Sequence, residues 1–347
     1  QRFEPWMPMF FFEGSIGGDI ESIPLDAIAG FYGDEPLAHA PIAAFAGAQN
    51  ASNGFAIAGE LTQSGDAMLL INPHTSFYFR GEMHVVSEEG LNAYGAVTWG
   101  QFFVYQGFNE DTGWMHTSTR VDFRDEFVED VSEVVGQLVY RDGGETRPVD
   151  SYDVTLKYRD GDGFGERTFT LYRTHHGPVT HQLDGKWVVT RINWEPVTAL
   201  SQSYIRTKQA GYDGFRDMMD LRSNSSNNTV YADSSGNIAY FHGNFVPRRD
   251  PRFDYSKPVD GSDPATDWQG IHTVDEIITV VNPPNGWIQN TNATPFTSAA
   301  EFSPRREDYP VYMAPDAENF RGINAVRLLS DIDDLTLEGL IELTHDP

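Results

Sequence analysis

The sequence predicts an α+β fold dominated by antiparallel strand pairs. Short alternating or apolar runs follow one another, bounded by Gly, Pro, Asn and Asp. Several of these runs are joined by tight glycine turns of the hairpin kind. Helical periodicity is confined to a few segments, one of them clearly amphipathic. The 347 residues include 32 Gly and 20 Pro for turns, with 23 Phe, 15 Tyr and 7 Trp for a core. That length fits two domains, or one large α/β or β-rich unit.

Residues 1–51 differ from the rest. Arg2 is their one Lys or Arg, and an aromatic patch, PWMPMFFFEG, precedes an Ala-rich tract, LAHAPIAAFAGAQNA. The segment reads as a linker or spacer, with an ordinary helix and loop as the alternative. From Ser52 the texture becomes β. GFAIAGE alternates, a turn follows at Ser64-Gly65-Asp66, and AMLLINPH makes a short buried strand ending at Pro73. FFVYQGFNEDTGWMHTS reads strand, turn, strand. SYDVTLKYRDGDGFGERTFTLYRTHHGPVT is a hairpin with Gly161-Asp162-Gly163 in its turn, and KWVVTRINW is a further strand. YDGFRDMMDLRSN is the amphipathic helix, with Phe215, Met218, Met219 and Leu221 on or near one face. NTVYADSSGNIAYFHGNFVP is a second hairpin around Ser235-Gly236. INAVRLLSDIDDLTLEGLIELTHD is helical with a break near Asp334.

Composition removes several function classes. Without cysteine there is no thiol catalysis, thiolate metal site or disulfide. A net charge of −27 opposes binding to a phosphate backbone, so nucleic acid is not an expected partner. No apolar run approaches the ~20 residues that span a bilayer, and Gln1-Arg2-Phe3-Glu4 does not open a secretory leader. HExxH, P-loop, GxGxxG and GxSxG patterns are all missing, which argues against zinc proteases, nucleotide enzymes and α/β-hydrolases.

One stretch, NASNGFAIAGE over Asn50–Glu60, sets a chemical problem. Ser52 stands beside Asn53 at the head of a buried strand, and no base for its hydroxyl lies nearby in the sequence. Seven segments in order suggest the answer: SNGFAIAGE, LLINPHT, GFNEDTGWMHTS, FTLYRTHHGPV, VYADSSGNIAYFHGNFVPRRD, GWIQNTNATP and FRGINAVRLL. On these the chain resembles the penicillin acylase family of N-terminal nucleophile hydrolases.

The resemblance implies an αββα sandwich of two stacked antiparallel sheets, incomplete in this chain. It implies that residues 1–51 end an α-chain and linker, and that 52–347 begin a β-chain released by self-cleavage at Ala51–Ser52. The freed α-amine, which titrates near ~8, would then be the base for the hydroxyl on the same residue. By the same resemblance Ser118 gives a backbone N–H to the oxyanion hole and Asn292 gives its side-chain amide, with Asn290 and Asn228 as rivals for that role. His74 stands beside the new amino terminus, and Arg321 orients Asn292 or a carboxylate. Asp122 and Asp125, in STRVDFRDEF, stand where one branch of the family holds a structural calcium. Catalysis itself needs no cofactor.

The expected activity is hydrolysis of a small N-acyl amide through a seryl ester, in an exported, periplasmic or secreted bacterial protein whose partner is its own α-chain. Phe77, Phe79 and Phe123 are expected near an apolar acyl pocket. Two rival classes stand beside this one: an uncleaved acylase-shaped binding or scaffold protein, and a sugar-binding β-sandwich.

Overall fold

The computed structural model describes residues 22–33, 51–75, 80–98, 100–224 and 227–345. Phe77 and Phe79 lie outside the described residues. The chain is α+β with antiparallel sheets, as the alternating runs and glycine turns require. Both anticipated hairpins form: Asp150–Asp160 pairs with Gly163–Thr174, and Asn227–Asp233 with Ile238–Phe241. The C-terminal helical segment divides into Phe320–Leu329 and Leu337–Leu343, with Asp334 in the left-handed region between them. Phe215, Met218 and Met219 are buried on helix Gly211–Met219, whereas Leu221 falls just past its end. Helix Pro196–Arg206 was not anticipated; the face it buries, Ala199, Gln202, Ser203 and Arg206, is mostly polar.

Among the described residues, hydrogen bonding divides the strands among four sheets. A three-stranded sheet orders Trp287–Asn290, Ala51–Ile57 and Met68–His74. A seven-stranded sheet has Asn227–Asp233 and Thr112–Ser118 at its centre. A six-stranded sheet carries the long 150–174 hairpin, continues through Gly177–Leu183, Lys186–Arg191 and Asp125–Glu129, and ends on a parallel pairing with Val259–Asp260. The last, three-stranded, spans 131–148. The stretch 125–191 has its own turns and pairs mainly with itself, so it forms separate sheets instead of widening the first two.

Strand parity defines where the core sits. Ala56 joins Met115, Val230, Tyr240 and Ile288 in one apolar cluster. Phe55 and Ile57 join Trp287, Ala325, Leu329 and Leu340 in another. Alternate side chains of a strand point to opposite faces. The even positions of Ala51–Ile57, Ser52 among them, therefore face the seven-stranded sheet, and the odd positions face the two C-terminal helices. A third cluster, on the other face of the seven-stranded sheet, joins Trp114, Tyr231 and Phe241 to Phe215, Met218 and Met219. Before Ser52, helix Leu25–Tyr32 docks on the six-stranded sheet. The Tyr32 hydroxyl donates to the Val179 carbonyl at 3.0 Å, and the Phe31 ring meets Trp187 edge-on at 5.4 Å.

Gly54 sets how closely the two sheets approach. A Cβ there would stand 2.9 Å from Met115 Cγ and 3.1 Å from Val230 Cγ2. Gly54→Val is expected to lower stability by about 1–3 kcal/mol, the range for overpacking a filled core. An unchanged midpoint in urea would show that the sheets can part without cost.

Candidate active site

Four chain segments meet at Ser52. The strand Ala51–Ile57 is central in its sheet: Gly54–Ile57 pair with both neighbours, and Ser52, opposite Pro73 of one of them, is 6% exposed. The chain is continuous through Ala51–Ser52, so the Ser52 nitrogen is a peptide amide. It donates to Asn292 Oδ1 at 2.6 Å, while Ser52 Oγ donates to the Ala51 carbonyl oxygen at 2.6 Å. Arg321, from the first turn of Phe320–Leu329, donates through Nη1 to the Ser52 carbonyl at 2.9 Å and to Asn53 Oδ1 at 2.7 Å. Its Nη2 donates to Asn292 Oδ1 at 3.1 Å. Burial draws the Arg321 pKa down, but a guanidinium starts so high that it stays charged.

Asn292 is oriented by its neighbours. Its Oδ1 faces the two donors from Ser52 and Arg321, so Nδ2 points the other way and donates to the Ser118 carbonyl at 2.8 Å. The residue sits at φ 60°, just past the strand Trp287–Asn290. Asparagine tolerates that left-handed conformation better than most residues. Ser118 ends its strand and is exposed.

Asn290 and Asn228 have different work. Asn290 Oδ1 accepts from the Asn292 N–H at 3.0 Å and from Asn228 Nδ2 at 3.4 Å, and its Nδ2 donates to the Ala293 carbonyl at 3.1 Å. Asn228 also accepts from the Gly243 N–H at 3.0 Å. Both are fully buried. They form the polar support that holds the Asn292 turn, and neither amide is free for a ligand.

His74 pairs in register with Ala51, across the strand from the serine. Its Nε2 meets Asn72 Oδ1 at 2.9 Å and Asn53 Nδ2 at 3.5 Å. Burial first, and then the charge of Arg321, lower its pKa, so the ring is neutral at pH 7. His74 thus joins the site through Asn53 and not by contact with Ser52. Asn53 and Asn72 were not singled out in the sequence; the Ser-Asn pair was visible, but its second member marked a cleavage pattern and not a partner for Arg321.

Asp122 and Asp125 lie together with a cation already between them. Arg249 donates from Nε to Asp125 Oδ2 at 2.7 Å and stands with Nη2 3.3 Å from Asp122 Oδ1. Trp268 Nε1 also donates to Asp125 Oδ2, at 2.5 Å. Burial, partly offset by Arg249, lifts Asp122 to about 6. Calcium takes six to eight oxygens, and among the described residues no third carboxylate or histidine joins this pair as a ligand set. One Asp125 oxygen is buried without a partner, but the guanidinium holds the shared position. Among the described residues the pair has Arg249, and not a third acidic side chain, as its partner. Phe123, beside it, packs against the cluster behind the seven-stranded sheet.

The family model for penicillin amidase matches residues 2–347. The chain belongs to the penicillin amidase family. This family member is 27% identical to penicillin G acylase of Escherichia coli over 76% of its own length and 30% of that protein. It is 25% identical to acyl-homoserine lactone acylase QuiP of Pseudomonas fluorescens, over 71% of the chain and 30% of the relative. Against acyl-homoserine lactone acylase PvdQ of the same species the identity is 26%, over 76% and 38%. The chain spans about a third of the length of the curated relatives it matches. A thermostable penicillin G acylase from Alcaligenes faecalis superposes with a TM-score of 0.68 at 22% identity, over 84% of this chain and 51% of that one, which shows a shared fold. Among the described residues no helix is long and apolar enough to cross a membrane.

Proposed function

We propose that this chain carries the nucleophile-bearing part of an amide-hydrolysing acylase that matures by cutting itself at Ala51–Ser52. The observation that carries the reading is the Asn292 side chain, which bridges the Ser52 nitrogen to the Ser118 carbonyl under a clamp from Arg321. In maturation Ser52 Oγ adds to the Ala51 carbonyl carbon, the C–N bond breaks, and the nitrogen keeps its hydrogen and gains a proton. Water then cleaves the resulting ester. In turnover the freed α-amine takes the Oγ proton, Oγ forms an ester with the acyl group, and the leaving amine departs with that proton. Asn292 Nδ2 and the Ser118 N–H stabilise the oxyanion, while Arg321 holds Asn292 in place. The neutral His74 steadies Asn53, and through it Arg321.

The three apolar clusters, lying in turn between helices, sheet, sheet and helices, support an αββα arrangement. A cavity of about 500 Å³, lined by Asn53, Phe55, Leu70, Phe320, Arg321 and Leu328, opens on the helix side of the nucleophile strand. Phe320, Ile323, Leu337 and Ile341 are exposed on those helices, which supports the packing of further chain there. For Asp122 and Asp125 we propose the Arg249 ion pair as their role. Export to a bacterial periplasm accords with the bacterial relatives and the missing cysteines.

The relatives are named as acylases, and the substrate proposed for this chain carries an apolar acyl group. A series of N-acyl-homoserine lactones, run beside phenylacetyl and glutaryl amides on the complete cleaved protein, tests this. Burying acyl carbon contributes roughly 0.8 kcal/mol per CH₂, so four extra carbons should raise kcat/KM about a hundredfold. Preference for glutaryl amides would sink the apolar-pocket reading, because a second carboxylate needs a cationic one.

A further inference from the structure

We infer that His175, His176 and Asp267 form a binding site for a borderline divalent metal ion, Zn²⁺ or a close neighbour, that clips the 174–177 turn to the loop after residue 260. Their three donor atoms lie within 4.8 Å of one another. Asp267 Oδ1 stands 2.7 Å from His176 Nε2 and 3.5 Å from His175 Nε2. Ligands about 2.0–2.1 Å from a tetrahedral zinc are separated by roughly 3.3 Å, so those two spacings bracket the requirement. A shift of about half an ångström by Asp267, whose side chain is 37% exposed, would meet it.

The backbone explains how neighbouring residues come to share one target. Successive strand residues point to opposite faces, but His175 and His176 occupy the turn between Gly163–Thr174 and Gly177–Leu183. Gly177, at φ 146° with the Thr190 carbonyl where a Cβ would stand, allows the chain to reverse tightly there. The two imidazoles end 3.8 Å apart between ring centres.

The partners behind the rings point the same way. The Tyr140 hydroxyl meets His175 Nδ1 at 3.0 Å, and Glu129 Oε1 meets His176 Nδ1 at 2.9 Å. Glu129 is itself fixed by the Thr174 hydroxyl at 2.6 Å, and Phe127 stacks under the His176 ring at 3.9 Å. Metal-binding histidines characteristically give their second nitrogen to a carboxylate or similar acceptor, which sets the tautomer and leaves the other nitrogen to the ion. Two imidazoles and one carboxylate favour zinc and its neighbours over calcium or magnesium, which prefer oxygen throughout. His175 and Asp267 reach solvent, so a water would complete the shell. The cluster shares no residue with the Ser52 constellation and does not depend on the acylase reading. Its competitor is a metal-free His176 imidazolium bridging Glu129 and Asp267.

The test is zinc titration of the complete protein after chelator treatment and desalting, at neutral pH, with bound metal measured. One equivalent should bind, and Co²⁺ should give visible absorption bands of four-coordinate cobalt without thiolate charge transfer. His175→Ala and Asp267→Asn should lose more than the ~10–100-fold in affinity that removal of an outer partner costs; Tyr140→Phe should lose an amount in that range. His84→Ala, which changes an exposed histidine on another sheet, should leave affinity unchanged. Zinc should raise the Tm of wild type and not of His175→Ala. Absence of stoichiometric uptake by wild type, or equal uptake by His175→Ala, would overturn the site.

Discussion

Ser52→Ala protein is expected to stay a single chain while wild type separates into two, the second beginning at Ser52. The hydroxyl lies 2.6 Å from the Ala51 carbonyl oxygen, so the attacking atom is already beside the bond to be broken. Arg321 fixes the next carbonyl along and Asn292 holds the scissile nitrogen. Pre-orientation of this kind converts a slow peptide attack into an intramolecular one. Loss of a nucleophilic serine costs on the order of 10⁶ in kcat in serine hydrolases, and a comparable loss is expected here. The alanine form should fold, since it gives up one local hydrogen bond. Mass spectrometry of both proteins decides the matter. Equal cutting would remove self-cleavage, and an uncut, inactive wild type would favour the binding-protein reading.

Asn292→Ala is expected to retain its fold and lose ~10²–10³ in kcat, about 3 kcal/mol of transition-state stabilisation, with little change in KM. The left-handed backbone at this position calls for a control. Asn292→Gly removes the same amide without strain at φ 60°. Both variants should lose activity alike, and only the alanine form should also lose some stability. The measurement belongs on fully cleaved protein, because Asn292 also holds the Ser52 nitrogen before cleavage. Asn290→Ala should behave differently: it takes away the acceptor of the Asn292 N–H and leaves Asn228 and Thr117 short of a buried partner. Its first effect should therefore be on Tm. Near-wild-type turnover in both Asn292 variants would move the oxyanion role elsewhere.

Local chemistry made much of this protein readable before any contact was known. Gly161 and Asp162 could only turn, Phe215, Met218 and Met219 could only mark a buried helical stripe, and the ordered segments from Ser52 to Leu329 fixed the family. Those signals lie in short stretches, where backbone sterics and side-chain period act within a few residues. Helix Pro196–Arg206 escaped because its buried face is mostly polar, with Gln202 and Arg206 bonded to distant partners.

The site divides along the same line. Ser52, Ser118, Asn292 and Arg321 were named from the sequence, but what each side chain touches was decided by packing. Their positions lie 66 to 269 residues from the serine, and such separations carry no spacing rule. Asn290 and Asn292 differ by two positions in one strand register, and only the left-handed turn at Asn292 separates support from bridge. The acidic pair at Asp122 and Asp125 looked open to a cation until Arg249, 124 residues further on, filled the space between them. The His175-His176 doublet was quoted within a hairpin and given no role. A carboxylate 91 residues away from His176 makes it a candidate metal site, because ligand geometry exists only where the folded sheet and the returning loop meet.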